Sequence, residues 1–311
     1  MTAAIRAKDA HDGKASLRPE GIDGEQWLAH IRGLVGRAED SEQDLSDRLA
    51  SVAEASRAVD AFFLVRSALP YDDPARRDES PAFVDVIPAL ADRCALAFER
   101  ELVPALRDRG VFVRDPRNLE GPQRACSEEL FTKAIFPLLT PMSVDSGRPF
   151  PYIANLSLNI AALIENSKGR PLFVRIEVPQ GLPRWLRLGE DSVFIAVEEL
   201  IADRLHQILH GGRARAHYAF RVTRQLALEK MSEASTLAAV SLRRGRPHAS
   251  PPVRLEVEAA MPRWLVEFLI DRVGVSESRT YAVRGPLDLS RASDLVWARV
   301  AHPHGGSQSS K

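Results

Sequence analysis

Four arginines, Arg213, Arg215, Arg221 and Arg224, crowd one short stretch that ends in FRVTR. Guanidinium groups make two-pronged bonds to phosphate oxygens, so an anion site is one reading of this cluster. On an extended chain Arg221 and Thr223 share a face while Arg224 points to the other. The other reading is a solvated surface, ion-paired to local acids such as Glu229 and Glu233. Arg243, Arg244 and Arg246 follow in a loop-like segment and read as plain surface. His206 and His210 are four apart on a helical pattern, with His217 beyond, a spacing that could turn ring nitrogens toward one metal. Beside the Gly211-Gly212 turn the pair reads instead as surface histidines, and no metal is assigned. Glu198 and Glu199 are adjacent, so they point to different faces of a helix and make a poor catalytic pair. Gly13-Lys14 is followed by Ala15, with no glycine-rich run before it, so it is not a phosphate-binding loop. GxGxxG, GxSxG and HExxH do not occur. No catalytic residue is assigned from these residues.

The elements that must hold such groups divide the 311 residues into two textures. Hydrophobic residues make up 45% and charged residues 27%, as in ordinary globular proteins. The 42 basic side chains balance 42 acidic ones, which argues against non-specific nucleic-acid binding, because that needs a net basic surface. No apolar run is long enough to span a bilayer and the polar N-terminus lacks a secretory pattern. Cys94 and Cys126 read as buried free thiols, which places the chain in a reducing cytoplasm.

From Asp23 to about Leu69 the apolar spacing is helical: Trp27, Ile31, Leu34 and Val35, then Leu45, Leu49 and Val52. Pro70 to Pro81 reads as a surface loop, and a helix follows from Ala82 to about Arg109, with Phe83, Ile87, Leu90, Cys94 and Phe98 on one side. Pro88 and Pro104 predict a break or kink in the last of these helices, and Gly110 its end. A further helix is expected from Pro122 to Ile135. Beyond Pro141 extended segments appear at 156–164, 172–178, 193–197, 217–222, 253–258 and 280–283, with helices at 197–209 and 262–273. Leu255 and Val257 alternate with Glu256 and Glu258, which predicts a half-exposed strand. The fold class is α+β: an all-helical N-terminal domain followed by a mixed α+β head domain. The expected division is a tail at 1–22, a helical domain at 23–123, a head domain at 124–290 and a divergent tail at 291–311.

The run FTKAIFPLLTPMSVDSGRPFPYIANLSLNIAALI, Phe131 to Ile164, closely resembles the entry to the middle or head domain of long-chain polyphosphate kinases. The shared pieces are Leu139-Thr140-Pro141, Asp145, Pro149-Phe150-Pro151 and Asn155 to Asn159. A segment ending in LPR at Arg184, an acidic helix start at Glu198-Glu199, and FRVTR at Phe220 to Arg224 follow in order. RLEVEAAMP at Arg254 to Pro262 and GPLDLS at Gly285 to Ser290 complete the series. The helical part is similar to the family's N domain in degenerate form, keeping Leu45, Arg48, Leu49, Ala53, Asp60, Phe62 and Phe63. Ala58 stands where the family's Asn contacts the adenine, and alanine has no amide to read a base.

The resemblance implies the family reaction, transfer of the terminal phosphate of ATP to polyphosphate, with ATP and Mg as the family's requirements. It also implies that the phosphorylated histidine and its metal- and phosphate-holding partners lie in two C-terminal domains beginning just after GPLDLS. The last residues, SDLVWARVAHPHGGSQSSK, depart from the family, as a frameshift or early stop would produce, and His302 and His304 do not match that histidine. The expectation is therefore a truncated homologue, inactive alone and with no cofactor of its own, that keeps an interaction or dimerisation role. One alternative is half of a split enzyme working with a separate catalytic chain. The other is a polyphosphate- or phosphate-binding module. The expected partners are accordingly a second copy, a polyphosphate kinase catalytic chain or polyphosphate, with neither nucleic acid nor a membrane span.

Overall fold

The computed structural model describes residues 24–66, 81–144, 150–165, 171–189, 192–209, 214–225 and 250–297. Asp23, where the expected helical pattern begins, lies just outside them, as does the expected loop before Pro81. Helix α1, Gly24–Glu39, buries Leu28, Ile31, Leu34, Val35 and Ala38, the one-sided apolar stripe its sequence spacing requires. That stripe packs on α2, Leu45–Arg66, through Leu49, Val52, Ala53, Val59 and Phe62. Helix α3, Pro81–Ala97, carries Pro88 inside it and runs straight on into a π turn, Phe98–Leu102, and then α4, Val103–Asp108. The proline effect falls at this turn rather than as a break. Pro104 has no N–H and its ring crowds the carbonyl four residues back, so the winding loosens in the turn before it. Gly110, at φ 78°, ends the helix in the left-handed conformation.

The chain then lays Phe112–Val113 (β1) parallel to Val193–Ala196 (β6), which pairs on its other side with Trp185–Arg187 (β5). Between them run α5, Gly121–Leu130, and a second π turn, Phe131–Ile135. The main sheet has six strands: β2, Met142–Val144; β3, Leu158–Glu165; β4, Pro171–Glu177; β7, Ala214–Arg224; β8, Pro252–Glu258; and β9, Thr280–Val283. Their order across the sheet is β2-β4-β3-β7-β8-β9, antiparallel except for the β8–β9 pair. Helices α6, Val197–Asp203, and α7, Leu205–Ile208, follow β6. Helix α8, Arg263–Val273, follows β8, and α9 is Asp294–Trp297. The structure is thus α+β, helical first and mixed afterwards. The short strands β2 and β5 have no counterpart in the sequence expectation, since three residues are too few to show a period.

The two faces of the six-stranded sheet are covered differently. Under α8, Phe220, Val222, Leu255 and Val257 meet Leu265 and Leu269, with Phe150, Phe173 and Phe268 packed ring against ring. On the other face Leu158, Ile160, Ala162, Val174 and Ile176 join the larger core shared with the N-terminal helices. That second cover corrects one expectation. Strand β8 is not half exposed, because Glu256 is 7% exposed and lies beneath α2.

Candidate functional site

Where the helices meet β7 and β8, the contact is made by charged groups. Arg221 on β7 lies directly opposite Glu256 on β8 in the strand register, and Thr223 opposite Arg254. All four side chains are buried, beneath the C-terminal half of α2. Asp60, on that helix, accepts from Arg221 on one carboxylate oxygen and from Arg254 on the other. Arg254 Nε donates to Thr223 Oγ1 at 2.9 Å, and its guanidinium lies 4.6 Å from the Phe63 ring centroid, one turn after Asp60. Glu256 brings a single oxygen, Oε2, to 3.3 Å from Arg221 Nη1 and 3.0 Å from Arg254 Nη2. Asp60, Arg221, Arg254, Glu256 and Asp288 border a small cavity of about 30 Å³, large enough for water.

The network continues into the GPLDLS segment. Gly285 is required there, since a Cβ at this position would sit 2.9 Å from the Ala95 carbonyl oxygen of α3. Asp288, at φ 55°, accepts from the Ser290 hydroxyl at 2.6 Å and presents its backbone carbonyl to Arg184. Arg184 also pairs with the buried Glu198 at the start of α6. Burial opposes ionisation of Asp288, but Arg221, Arg184 and the Ser290 donors outweigh it and hold its pKa down at about 2. Burial pushes the Glu198 carboxyl up despite Arg184, and pushes Glu256 up despite Arg254 and Arg221. The cost of burying the Arg221 guanidinium is overcome by Asp60, Asp288 and Glu256, which raise its pKa further.

Beyond Arg254 a cleft of about 260 Å³ opens between α2, α3 and β9, lined by Phe63, Pro88, Asp92, Thr280 and Tyr281. Asp92 is engaged there by the backbone N–H and guanidinium of Arg284.

The four arginines of the FRVTR stretch do not converge. Arg221 serves the network. Arg224 leaves by the opposite face, donating to the Ile153 and Ser250 carbonyls and stacking 4.3 Å from the Tyr152 ring centroid. Arg215 is exposed and pairs with Glu165, and Arg213 lies outside the described residues, as do Arg243, Arg244, Arg246, Glu229 and Glu233. The acids that hold Arg221 come from other elements, far away in sequence. His206 and His217 are exposed, His210 is outside the described residues, and no three His, Cys, Asp or Glu side chains converge among those described. Cys94 is buried, with burial pushing its thiol up to about 12, and Cys126 is half-buried. Ala58 is half-buried, and its carbonyl accepts from the Trp27 indole N–H at 3.1 Å.

Sequence reasoning named Arg221 but missed its partners Asp60, Arg254, Glu256, Asp288 and Arg184 as a set. A signal was present: five of the motifs that carry the resemblance, at Arg184, Glu198, Arg221, Arg254 with Glu256, and Asp288, contribute a charged residue to this network. NLSLN contributes to the sheet instead. Asn159 accepts from Arg175 Nε at 2.7 Å, and Asn155 accepts the Arg224 N–H at 2.8 Å.

Comparison with known proteins agrees with this placement. Residues 122–295 match the family model described as polyphosphate kinase middle domain. The chain is 33% identical over 308 residues to the polyphosphate kinase of Streptomyces coelicolor, covering 93% of this chain and 41% of that protein. It is 31% identical over 297 residues to the polyphosphate kinase of Parasynechococcus marenigrum, covering 87% and 42%. The crystal structure of polyphosphate kinase from Porphyromonas gingivalis superposes with a TM-score of 0.70 at 17% identity, over 88% of this chain and 40% of that one. The chain therefore spans about two fifths of the length of these relatives. With more than half of its residues matched to the middle-domain model, and a relative 33% identical over 93% of it, the chain belongs to the polyphosphate kinase family.

Proposed function

We propose that this chain serves ATP-dependent polyphosphate synthesis as the positioning part of a polyphosphate kinase and supplies no reacting group itself. One observation carries the reading: Arg184, Arg221 and Arg254, from three of the shared motifs, are paired with carboxylates inside the molecule. Phosphoryl transfer needs donors and cations aimed at a moving phosphate, and here these three guanidiniums are already neutralised by carboxylates. The described residues do not fit a nucleotide or its magnesium either. Ala58 has no amide for a base, its carbonyl is taken by Trp27, and no three ligand-type side chains meet. ATP and Mg²⁺ then belong to the part of the family's length that this chain does not span. Its partner is a second copy or a chain carrying that remaining part, and its place is the cytoplasm. No helix among the described residues is long and apolar enough to cross a membrane.

The test is an assay of the purified chain with ATP and Mg²⁺, alone and mixed with a polypeptide of the C-terminal remainder of the Streptomyces coelicolor relative. No polyphosphate from the chain alone and synthesis in the mixture is the expected outcome. Synthesis by the chain alone overturns the reading. Retention of polyphosphate by the chain alone, lost in R215E, would move its function to polyanion binding, since Arg215 is the exposed member of the cluster among the described residues.

A further inference from the structure

Three guanidiniums, of Arg184, Arg221 and Arg254, face four carboxyl groups, of Asp60, Glu198, Glu256 and Asp288, in the contact between helices and sheet. A guanidinium keeps its charge throughout the pH range of a folded protein. Full ionisation of the acids would therefore leave one negative charge in excess. Six of these seven side chains are no more than 10% exposed, where an uncompensated charge is costly. The hydrogen bonds leave two acids, Glu256 and Glu198, less needed as anions than Asp60. Asp60 uses both oxygens, one for each arginine, whereas Glu256 offers only Oε2 to the same two groups.

We propose that Glu256 carries a proton at neutral pH, so that the contact between α2 and the sheet is a pH-sensitive clamp, tight while the proton is held and loosened when it leaves. The groups that face Glu256 are Arg254 on its own strand, Arg221 on β7, Asp60 on α2, Asp288 beyond β9 and Tyr281 opposite it on β9. Cys94 on α3 lies across the small cavity and Asp92 across the cleft. Burial first, then Asp60 and Asp288, favour the protonated form against the two arginines. Glu198 is the competing holder. It is also driven up by burial, and its Oε2 has no hydrogen-bond partner among the described residues.

The sign follows from linkage. A raised carboxyl pKa means that the folded chain keeps a proton which the unfolded chain releases above about pH 4. Its contribution to stability is complete below that value and is lost as pH rises toward the folded pKa, with the folding equilibrium constant falling up to about tenfold per pH unit.

The experiment is urea unfolding of the full chain, its E256Q variant and its E198Q variant between about pH 5.5 and 8.5. The expected result is a folding constant that falls with pH in the wild type and in E198Q and falls clearly less in E256Q. An unchanged fall in E256Q, or its disappearance in E198Q, overturns the proposal. If E256Q does not fold, the infrared spectrum decides. A protonated-carboxyl band at pH 7 that survives in E198Q and disappears on alkalinisation supports the clamp, and its absence from the wild type overturns it.

Discussion

The two faces of the six-stranded sheet solve the same packing problem with different chemistry. Beneath α8 the contact is apolar, with Leu255, Val257, Phe220 and Val222 against Leu265 and Leu269. Beneath α2 the same two strands present Arg221, Arg254 and Glu256 to Asp60. Apolar burial is non-directional, so a helix on the first face can slide a little and still exclude water. A carboxylate held between two guanidiniums tolerates no such slide. Its removal costs more than a lost contact because the partner charges stay buried. The apolar face thus holds an element by area, while the charged face fixes one position of the N-terminal helices on the head.

Breaking the charged face should have the largest effect. Asp60→Ala strands two buried guanidiniums and should destabilise the chain by about 4 kcal/mol in urea unfolding. On the apolar face Leu265→Ala, at a fully buried site, should cost about 3 kcal/mol through lost burial and a cavity. If D60A costs clearly less than L265A, the charged contact is not the stronger constraint.

Acid sharpens the comparison. Asp288 has its pKa held at about 2, so its stabilisation is present above about pH 4 and is lost as pH falls through about 2. The difference amounts to about 2 kcal/mol, and D288N should remove that part of the acid dependence in an acid titration of stability, while L265A leaves it intact. The smallest effect belongs to the exposed pair at the far end of β7. Arg215→Gln, which breaks a contact to Glu165, should change stability by no more than about 0.5 kcal/mol. A larger loss would show that exposure is a poor guide to which arginines matter here.

Much of the architecture was legible because it rests on short-range patterns. The stripe Ile31, Leu34, Val35 marks α1, and Pro262 with Gly274 brackets α8, whose cap glycine adopts φ 76°. The strand at 280–283 was read to the residue. The strand spanning Ala214–Arg224 extends beyond the expected 217–222 at both ends, where Arg215 and Arg224 interrupt the apolar pattern. Alternation along β8 correctly separated Leu255 and Val257 from Glu256, but the inference that the polar side faces water failed. A period of two reports which residues share a face and nothing about what covers it. The same limit applies to the arginine cluster, where Arg221 and Thr223 do share a face and Arg224 does take the other.

The sequence by itself determined the family, the helical-then-mixed order of elements and the alternation of faces, because motif order, helical spacing and strand period are all properties of neighbours along the chain. Tertiary structure alone decided that Asp60 meets Arg221, 161 positions away, and Arg254, 194 away. It thereby decided that the charged residues of separate motifs form one buried set. The physical reason is that a charge beside its neighbours in sequence is indistinguishable from a solvated one. Only when the fold removes water from it does its partner, its protonation and its energetic weight become defined.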